Sequence, residues 1–403
     1  MMDLYIFGHK VKKQGSQSKD LSQRPGLRAE DIKILWASWC DLIIHSTFYG
    51  GTEIAYHGTS LTHKQADHIC ALRYGTSPPH LTFFGRHLDH GVKGFISSSS
   101  QEVVIFHTDQ EIKQGRPEVE TIPLDTHKHE NCKIVDVQLA SNGSVLFSTM
   151  GEGRPIVSGM YEFPSFGRFL QYLRPEPEEM TGFGPPQELK LDDWFPLQGA
   201  TNATAYTALG DTGQVYTHAV DMRYPKCLGR ESSDQTSTPQ PVPYLSETVV
   251  NKIASGGYYT AAITSDGELY IWGQSPPGTG NELAVLKRDA AVNYEDEFVR
   301  SVEVRIEGEV ALVTDVAIGW GHMFVAAEVR RNEDDALRAV FAAGCNERGQ
   351  LGLGSESSTF VEELREVQSL KGKRVRQLLC SGWSSYVVVD DPRGQRVRPE
   401  EKG

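Results

Sequence analysis

The sequence predicts an all-β protein: a seven-bladed β-propeller of four-stranded blades, closed by the N-terminal strand pairing with the last blade. Three observations predict it. A strand–turn–strand unit recurs seven times along 403 residues. The segment Leu4 to Gly8 reads as a closing strand with no unit before it, and the last unit lacks a closing strand after Asp390.

The clearest unit is Val250 to Gly273, VNKIASGGYYTAAITSDGELYIWG. Ile253 to Ser255 is small and apolar, Tyr259 to Thr264 is a buried-strand run, and Glu268 to Trp272 is β-branched and aromatic. Gly256-Gly257 supplies backbone freedom between the first two strands. Ser265-Asp266-Gly267 is a hairpin turn, because an Asp-Gly pair tolerates positive φ. One such hairpin buries too little apolar surface to fold alone, so it requires copies.

The copies are present. Asp315 to Ala327 and Arg376 to Asp390 repeat the first half, and Val340 to Gly344 supplies a closing strand after a charged interruption. Upstream copies lie at Leu197 to Ala219 and Lys133 to Gly159, with fainter ones at Val92 to Asp109 and Ile34 to Gly58. With Gly256 marking the turn, its equivalents are Ser38, Ser99, Ser141, Gly199, Gly319 and Gly382, spaced by 42 to 63 residues. Units that pack only on their neighbours and close radially form a propeller. Leu4-Tyr5-Ile6-Phe7-Gly8 matches Leu269-Tyr270-Ile271-Trp272-Gly273, so the first residues are expected to complete the last blade.

The pattern of small residue, Gly, two variable positions, aromatic or His, apolar run, Asp-Gly, strand and Gly resembles the regulator of chromosome condensation repeat. Gly344-Cys345-Asn346-Glu347-Arg348-Gly349-Gln350-Leu351-Gly352 matches that family's G-x-N-x-x-G-Q-L-G motif. The chain is similar to a divergent, single-domain member. Its length and degraded N-terminal repeats resemble the alpha-tubulin suppressor proteins, or small nuclear members that partner chromatin-modifying enzymes.

Composition fits a folded globular protein, with 39% hydrophobic and 23% charged residues. The repeat predicts one domain over 1–391, with loop insertions near 9–31, 161–193, 231–243 and 278–310 and a flexible tail at 392–403. Leu61 to Leu72 reads as a short helix with Leu61, Ala66, Ile69 and Cys70 on one side. No stretch has the uninterrupted apolar length of a membrane span, and MMDLYIFGHK lacks the pattern of a signal peptide. Cysteines 40, 70, 132, 227, 345 and 380 are scattered, as expected of reduced thiols in the cytoplasm or nucleus. A net charge of −13 argues against general nucleic-acid binding, which depends on neutralising phosphates. The basic runs His9 to Lys13 and Arg393 to Arg398 read as solvated tails. A monomer without membrane contact is expected.

Motifs for catalysis are missing from the sequence: there is no GxxxxGK[ST], GxSxG, HExxH or CxxC. The close pairs His63/His68, His87/His90 and His127/His129 sit in polar stretches without cysteine partners in register, so neither a metal nor another cofactor is expected. The protein reads as a non-enzyme.

One constellation stands out. The position after the anchor turn carries Trp39, Ser100, Asn142, Ala200, Gly257, Trp320 and Trp383, three of the chain's six tryptophans. In a closed ring these three fall on consecutive blades. Two positions further on lie Asp41, His322 and Ser385. Together these six are the candidate partner-binding residues, an aromatic patch with polar neighbours. The competing reading is that the indoles cap the core between blades or line the central shaft.

The expected function is therefore a non-enzymatic scaffold for protein–protein interaction. What the resemblance implies is more specific. Similarity to the alpha-tubulin suppressor proteins implies an accessory factor in tRNA wobble-uridine modification and diphthamide synthesis, partnered by a small zinc-binding electron carrier. Similarity to the nuclear members implies a histone-modifying oxygenase as partner. The founding member implies guanine-nucleotide exchange on a small GTPase, but no segment here matches a nucleotide-displacing wedge. Gly319-Trp320-Gly321-His322 resembles a Gly-Trp-x-His motif of plant ultraviolet photoreceptors, without their dense Arg and Trp surface.

Overall fold

Seven sheets arranged in a ring account for nearly all the strands. The computed structural model describes residues 1–8, 25–72, 81–86, 91–97, 102–123, 132–151, 157–174, 187–189, 194–231, 238–288, 297–332, 335–354 and 357–391. Blade one has three strands, Asp31–Ala37, Asp41–Phe48 and Gly51–Gly58. Blade two comprises Leu81–Arg86, Gly91–Ser97, Glu102–Phe106 and Val119–Pro123; blade three comprises Cys132–Leu139, Val145–Gly151, Val157–Phe163 and Gln187–Leu189. Blade four runs Pro196–Thr201, Ala205–Gly210, Val215–Ala219 and Gln240–Pro241, and blade five Val250–Gly256, Tyr259–Thr264, Leu269–Gly273 and Arg300–Val302. Blade six is Leu312–Ile318, His322–Arg330, Ala336–Cys345 and Phe360–Glu366.

Blade seven joins the ends of the chain. Val375–Ser381 pairs with Ser384–Asp390, which pairs antiparallel with Met2–Gly8 from Met2 opposite Asp390 to Gly8 opposite Ser384. The expected closure is thus the observed one. The fourth strand, Leu27–Ala29, comes from the stretch read as a loop insertion, and Arg28 fastens it to the buried Asp3 through Nε at 2.7 Å. Likewise Gln240–Pro241 and Arg300–Val302, within other expected insertions, are outer strands. Outer strands this short carry little periodic signal, which is why the sequence reading took them for loops.

The hydrophobic core is divided into wedges, one between each pair of neighbouring blades. Val387 and Val389 pack towards blade six with Phe324 and Val340, while Tyr386 and Val388 of the same strand pack towards blade one with Ile32 and Ile44. A second strand is therefore covered on both faces, which explains its continuous apolar run: all six residues of Tyr259–Thr264 are buried. Blade one departs most from the repeat. Its outer side is occupied by the helix His63–Ala71, capped by Thr62 and anchored by buried Ile69 and Gln65. The Gln65 amide donates to the carbonyl oxygens of His107 and Glu118 in blade two. Phe166–Leu173 is a second helix, packing Phe169, Leu170 and Leu173 into the wedge between blades two and three.

The inner strands share a further device. In blades three to seven a β-bulge precedes a polar residue: Asp136, Gln198, Lys252, Asp315 and Gln377. From there side chains reach to the next blade. Gln198 brackets the Ile253 backbone, accepting from its N–H at 3.1 Å and donating to its oxygen at 2.8 Å, and Gln377 does the same to Ile34 at 2.9 and 3.0 Å. Lys252 pairs with Asp315, and Asp315 accepts from the Leu378 N–H at 3.0 Å. Inner strands have one unpaired edge, and these side chains satisfy it. Asp136 instead lies beside Gly199, takes hydrogen bonds from Gln138 of its own strand, and burial pushes its carboxyl up to about 6.

No helix among the described residues is long and apolar enough to cross a membrane.

Candidate protein-binding face

The first turn of each blade opens onto one face of the ring, around the mouth of the central channel. Where two residues link the strands, the flanking residues face each other: Ser38 and Asp41, Gly256 and Tyr259, Gly319 and His322, Ser381 and Ser384. Trp39, Gly257, Trp320 and Gly382 are then the first turn residues, with Cys40, Tyr258, Gly321 and Trp383 the second. This corrects the expected register in three blades. Trp383 is equivalent to Tyr258 rather than Gly257, because the Gly-Trp identity at 319–320 and 382–383 aligns residues that the strand pairing offsets by one. In blade four the turn is at Asn202 to Thr204, leaving Gly199 and Ala200 within the strand. In blade two the second strand already begins at Gly91, ahead of Ser99 and Ser100, which lie outside the described residues. Asn142 sits in the longer first turn of blade three, where its Oδ1 accepts from the Ser144 N–H at 2.9 Å.

Neighbouring turns touch one another. The Ala203 N–H donates to the Gly257 oxygen at 2.6 Å, the Trp320 N–H donates to the Gly382 oxygen at 2.8 Å, and the Ser141 hydroxyl donates to the Ala203 oxygen. Gly382 is obligatory, since its φ is +55° and a Cβ there would fall on Trp39. Backbone linkage between turns makes the mouth a rigid rim.

Of the three candidate tryptophans, all half-buried, Trp39 and Trp383 form an edge-to-face pair with centroids 6.1 Å apart at 77°. Trp320 packs instead on Tyr258, at 5.7 Å and 64°, and Tyr258 on Tyr224 at 5.4 Å. The Arg223 guanidinium lies 5.6 Å above the Tyr224 ring. Arg223 is held there by Asp221, with Nε to Oδ1 at 2.9 Å and Nη2 to Oδ2 at 2.6 Å, and this pairing lowers the Asp221 pKa. Burial raises the Tyr258 phenol. Arg223, Tyr224, Tyr258 and Trp320 border a depression of about 630 Å³ that is also lined by Asn202, Gly256, Ile318 and Ser381, whereas Trp39 and Trp383 are not part of its lining. Tyr258, Tyr224 and Arg223 were missed in the sequence: Tyr258 follows the anchor glycines but reads as strand, and Tyr224 sits in a loop with no repeat equivalent.

The polar candidates do not face a partner. Asp41, His322 and Ser385 are buried, and each is used inside the protein. Asp41 accepts from the Tyr56 hydroxyl at 2.6 Å, the Ser60 hydroxyl at 2.5 Å and the Val92 N–H at 3.1 Å, fastening blade one to blade two. His322 Nε2 and Ser385 Oγ are 2.9 Å apart and connect blade six to blade seven. The reason is positional: the residue after the turn begins the second strand, which is covered on both faces. Burial pushes the thiol of Cys380, 3.4 Å from Ser385, up to about 12. Among the described residues no group of three or more His, Cys, Asp or Glu side chains gathers as metal ligands; His87, His90, His127 and His129 lie outside them.

Known proteins share this repeat. The model of the Regulator of chromosome condensation (RCC1) repeat matches residues 250–276, the first three strands of blade five, and residues 339–388, from the third strand of blade six into blade seven. Blades five, six and seven of this propeller thus carry stretches of RCC1 repeat. The chain is 28% identical over 198 residues to the Ultraviolet-B receptor UVR8 of Arabidopsis thaliana, covering 45% of this chain and 40% of the receptor. It is also 28% identical over 158 residues to the Regulator of chromosome condensation of Mus musculus, covering 39% and 32%. The RCC1-repeat chain thus spans less than half the length of these curated relatives. Among solved structures, Prp20p from Saccharomyces cerevisiae is similar over 96% of this chain and 91% of its own, at 13% identity and a TM-score of 0.39.

Proposed function

We propose that this RCC1-repeat propeller is a non-enzymatic scaffold that holds a protein partner at the mouth face. One observation carries the reading: the aromatic cluster of Tyr224, Tyr258 and Trp320, with Arg223 over it, borders a depression on a rim whose turns are joined by backbone bonds, and the Trp39–Trp383 pair adds a second half-buried aromatic cluster on the same set of turns. Half-buried aromatic rings with one arginine stacked among them have the composition of a binding hot spot, and rigidity lowers the entropy lost on association. The depression is wide enough to receive one or two side chains of a partner.

The finer reading places the protein beside the alpha-tubulin suppressor proteins, as an accessory factor in tRNA wobble-uridine modification and diphthamide synthesis in the cytoplasm or nucleus. Its support is the irregular first blade, with three strands and a helix on its outer side. Affinity purification with quantitative mass spectrometry, comparing the wild type with Tyr258→Ala and Trp320→Ala, tests both levels. A partner set that the substitutions deplete supports the mouth; a small zinc-binding electron carrier in that set supports the finer role, and a histone-modifying oxygenase supports the nuclear one. Similarity to the mouse Regulator of chromosome condensation keeps nucleotide exchange as the second reading. Accelerated nucleotide release from a small GTPase would decide for it.

A further inference from the structure

The face opposite the mouth presents the second turn of each blade and the first residues of each inner strand. Leu197, Val249 and Leu312 protrude here, 69%, 56% and 45% exposed, with exposed Val310 beside Leu312 in sequence. Val249 and Leu312 are repeat equivalents, each immediately before a buried valine, Val250 or Val313, at the head of the inner strand. Each also sits against the second turn of the preceding blade. The Val250 N–H donates to the Gly213 oxygen and the Val313 N–H to the Gly267 oxygen, both at 2.8 Å. A Cβ on Gly213 would lie 2.7 Å from Val249, and one on Gly267 would lie 2.9 Å from Leu312.

Those two turns carry Asp211 and Asp266, both exposed. Glu247, two residues before Val249, is exposed as well, and the Gln214 amide holds the neighbouring Ser246 oxygen at 2.8 Å, tying that segment to the Asp211 turn. At the margin of this face Glu309 is paired with Arg331 and Glu307 with Lys371. Among the described residues no lysine or arginine forms such a pair with Asp211, Glu247 or Asp266. Val249 and Leu312 thus repeat one relation to the preceding turn, and exposed carboxylates flank them at different places in those turns: Asp211, which accepts from the Phe195 N–H at 3.0 Å, and Asp266, immediately before Gly267.

We propose that this face is a second docking surface, taking a basic amphipathic segment of a partner protein. Aliphatic side chains of the segment cover Leu197, Val249 and Leu312, and its lysines or arginines meet Asp211, Glu247 and Asp266. The carboxylates repel an acidic segment and the phosphates of a nucleic acid, and the aliphatic row gives a purely polar basic tail nothing to bury.

The test uses the full chain and three labelled peptides of about 18 residues. One is a leucine–lysine amphipath, one a leucine–glutamate peptide of the same pattern, and one a serine–lysine peptide. Fluorescence anisotropy is read against the wild type, Val249→Ser/Leu312→Ser, Asp211→Asn/Asp266→Asn, and Trp320→Ala at the mouth, with thermal melting as the folding control. The leucine–lysine peptide is expected to bind best, to weaken about tenfold or more in each double variant, and to be unaffected by Trp320→Ala. The proposal is overturned if no peptide binds, if either control peptide binds as tightly, or if the double variants bind as the wild type does. Loss of binding in Trp320→Ala alone would assign the peptide to the mouth and equally overturn it.

Discussion

His322 of blade six and Ser385 of blade seven meet inside the protein, Nε2 to Oγ at 2.9 Å. Burial pushes the imidazole down to about 4 from an ordinary value of 6.5. The unfolded chain then binds a proton more readily than the folded one, so this contribution is complete above pH 6.5 and is lost as pH falls from 6.5 towards 4. The buried His45, lowered for the same reason, adds in the same direction. Between pH 7 and pH 5 His322 removes on the order of 2 kcal/mol. Urea unfolding of the wild type should weaken over that interval, and His322→Gln, which keeps a hydrogen-bonding group without the titration, should flatten the slope. Parallel slopes would contradict the assignment.

Closure of the ring can be weighed at Phe7. It is buried in the N-terminal strand of blade seven and stacks on Phe324 of blade six, with centroids 5.9 Å apart. Phe7→Ala should cost about 3–5 kcal/mol, the range for a buried aromatic. Tyr49→Ala, at a side chain 93% exposed, should stay within about 0.5 kcal/mol of wild type. Denaturant midpoints compare the two directly, and equal effects would mean that the N-terminal strand contributes little to the ring.

Asp41 and Gly91 are expected to be coupled. Gly91 has a φ of +62°, and a Cβ there would fall on the Asp41 carboxylate. Gly91→Ala should destabilise through both strain and collision. Asp41→Ala should cost about 3 kcal/mol or more, because it strands the Tyr56 and Ser60 hydroxyls and the Val92 N–H. Combined, the two substitutions should destabilise by less than their sum, since the smaller side chain at 41 removes the collision. Strict additivity in urea titrations would show that the two sites do not interact.

At the mouth, Tyr258→Ala and Trp320→Ala should each weaken the partner's affinity about tenfold or more, with little change in melting temperature. Because the two rings are in edge-to-face contact, the double substitution should cost less than the sum. Calorimetric titration of the recovered partner measures this; unchanged affinity in both single variants would remove the mouth from the interface.

Much of the architecture was legible in the chain because a propeller repeats one local problem seven times. Runs such as Tyr259 to Thr264 declare a strand covered on both faces, and Asp266-Gly267 marks its turn, with φ of +80° at Gly267. The likeness of Leu4–Gly8 to Leu269–Gly273 was enough to predict which strand seals the ring. Outer strands such as Gln240–Pro241 were illegible, because two paired residues leave no alternation to read.

The candidate site was legible only in part. Position in the repeat singled out Trp39, Trp320 and Trp383, yet which ring meets which depends on a one-residue offset in strand pairing that identity at Gly-Trp conceals. Whether a polar residue near a turn faces water or the neighbouring blade is likewise decided by packing. Asp41, His322 and Ser385 stand one or two residues past a turn and still end inside the protein, where the adjoining blade covers them. Local pattern determined the inner strands of the repeat, the number of blades and their closure, since those follow from short-range turn chemistry and side-chain alternation. The tertiary structure decided which side chains meet at the mouth and which are enclosed, since those contacts arise between blades some sixty residues apart in sequence.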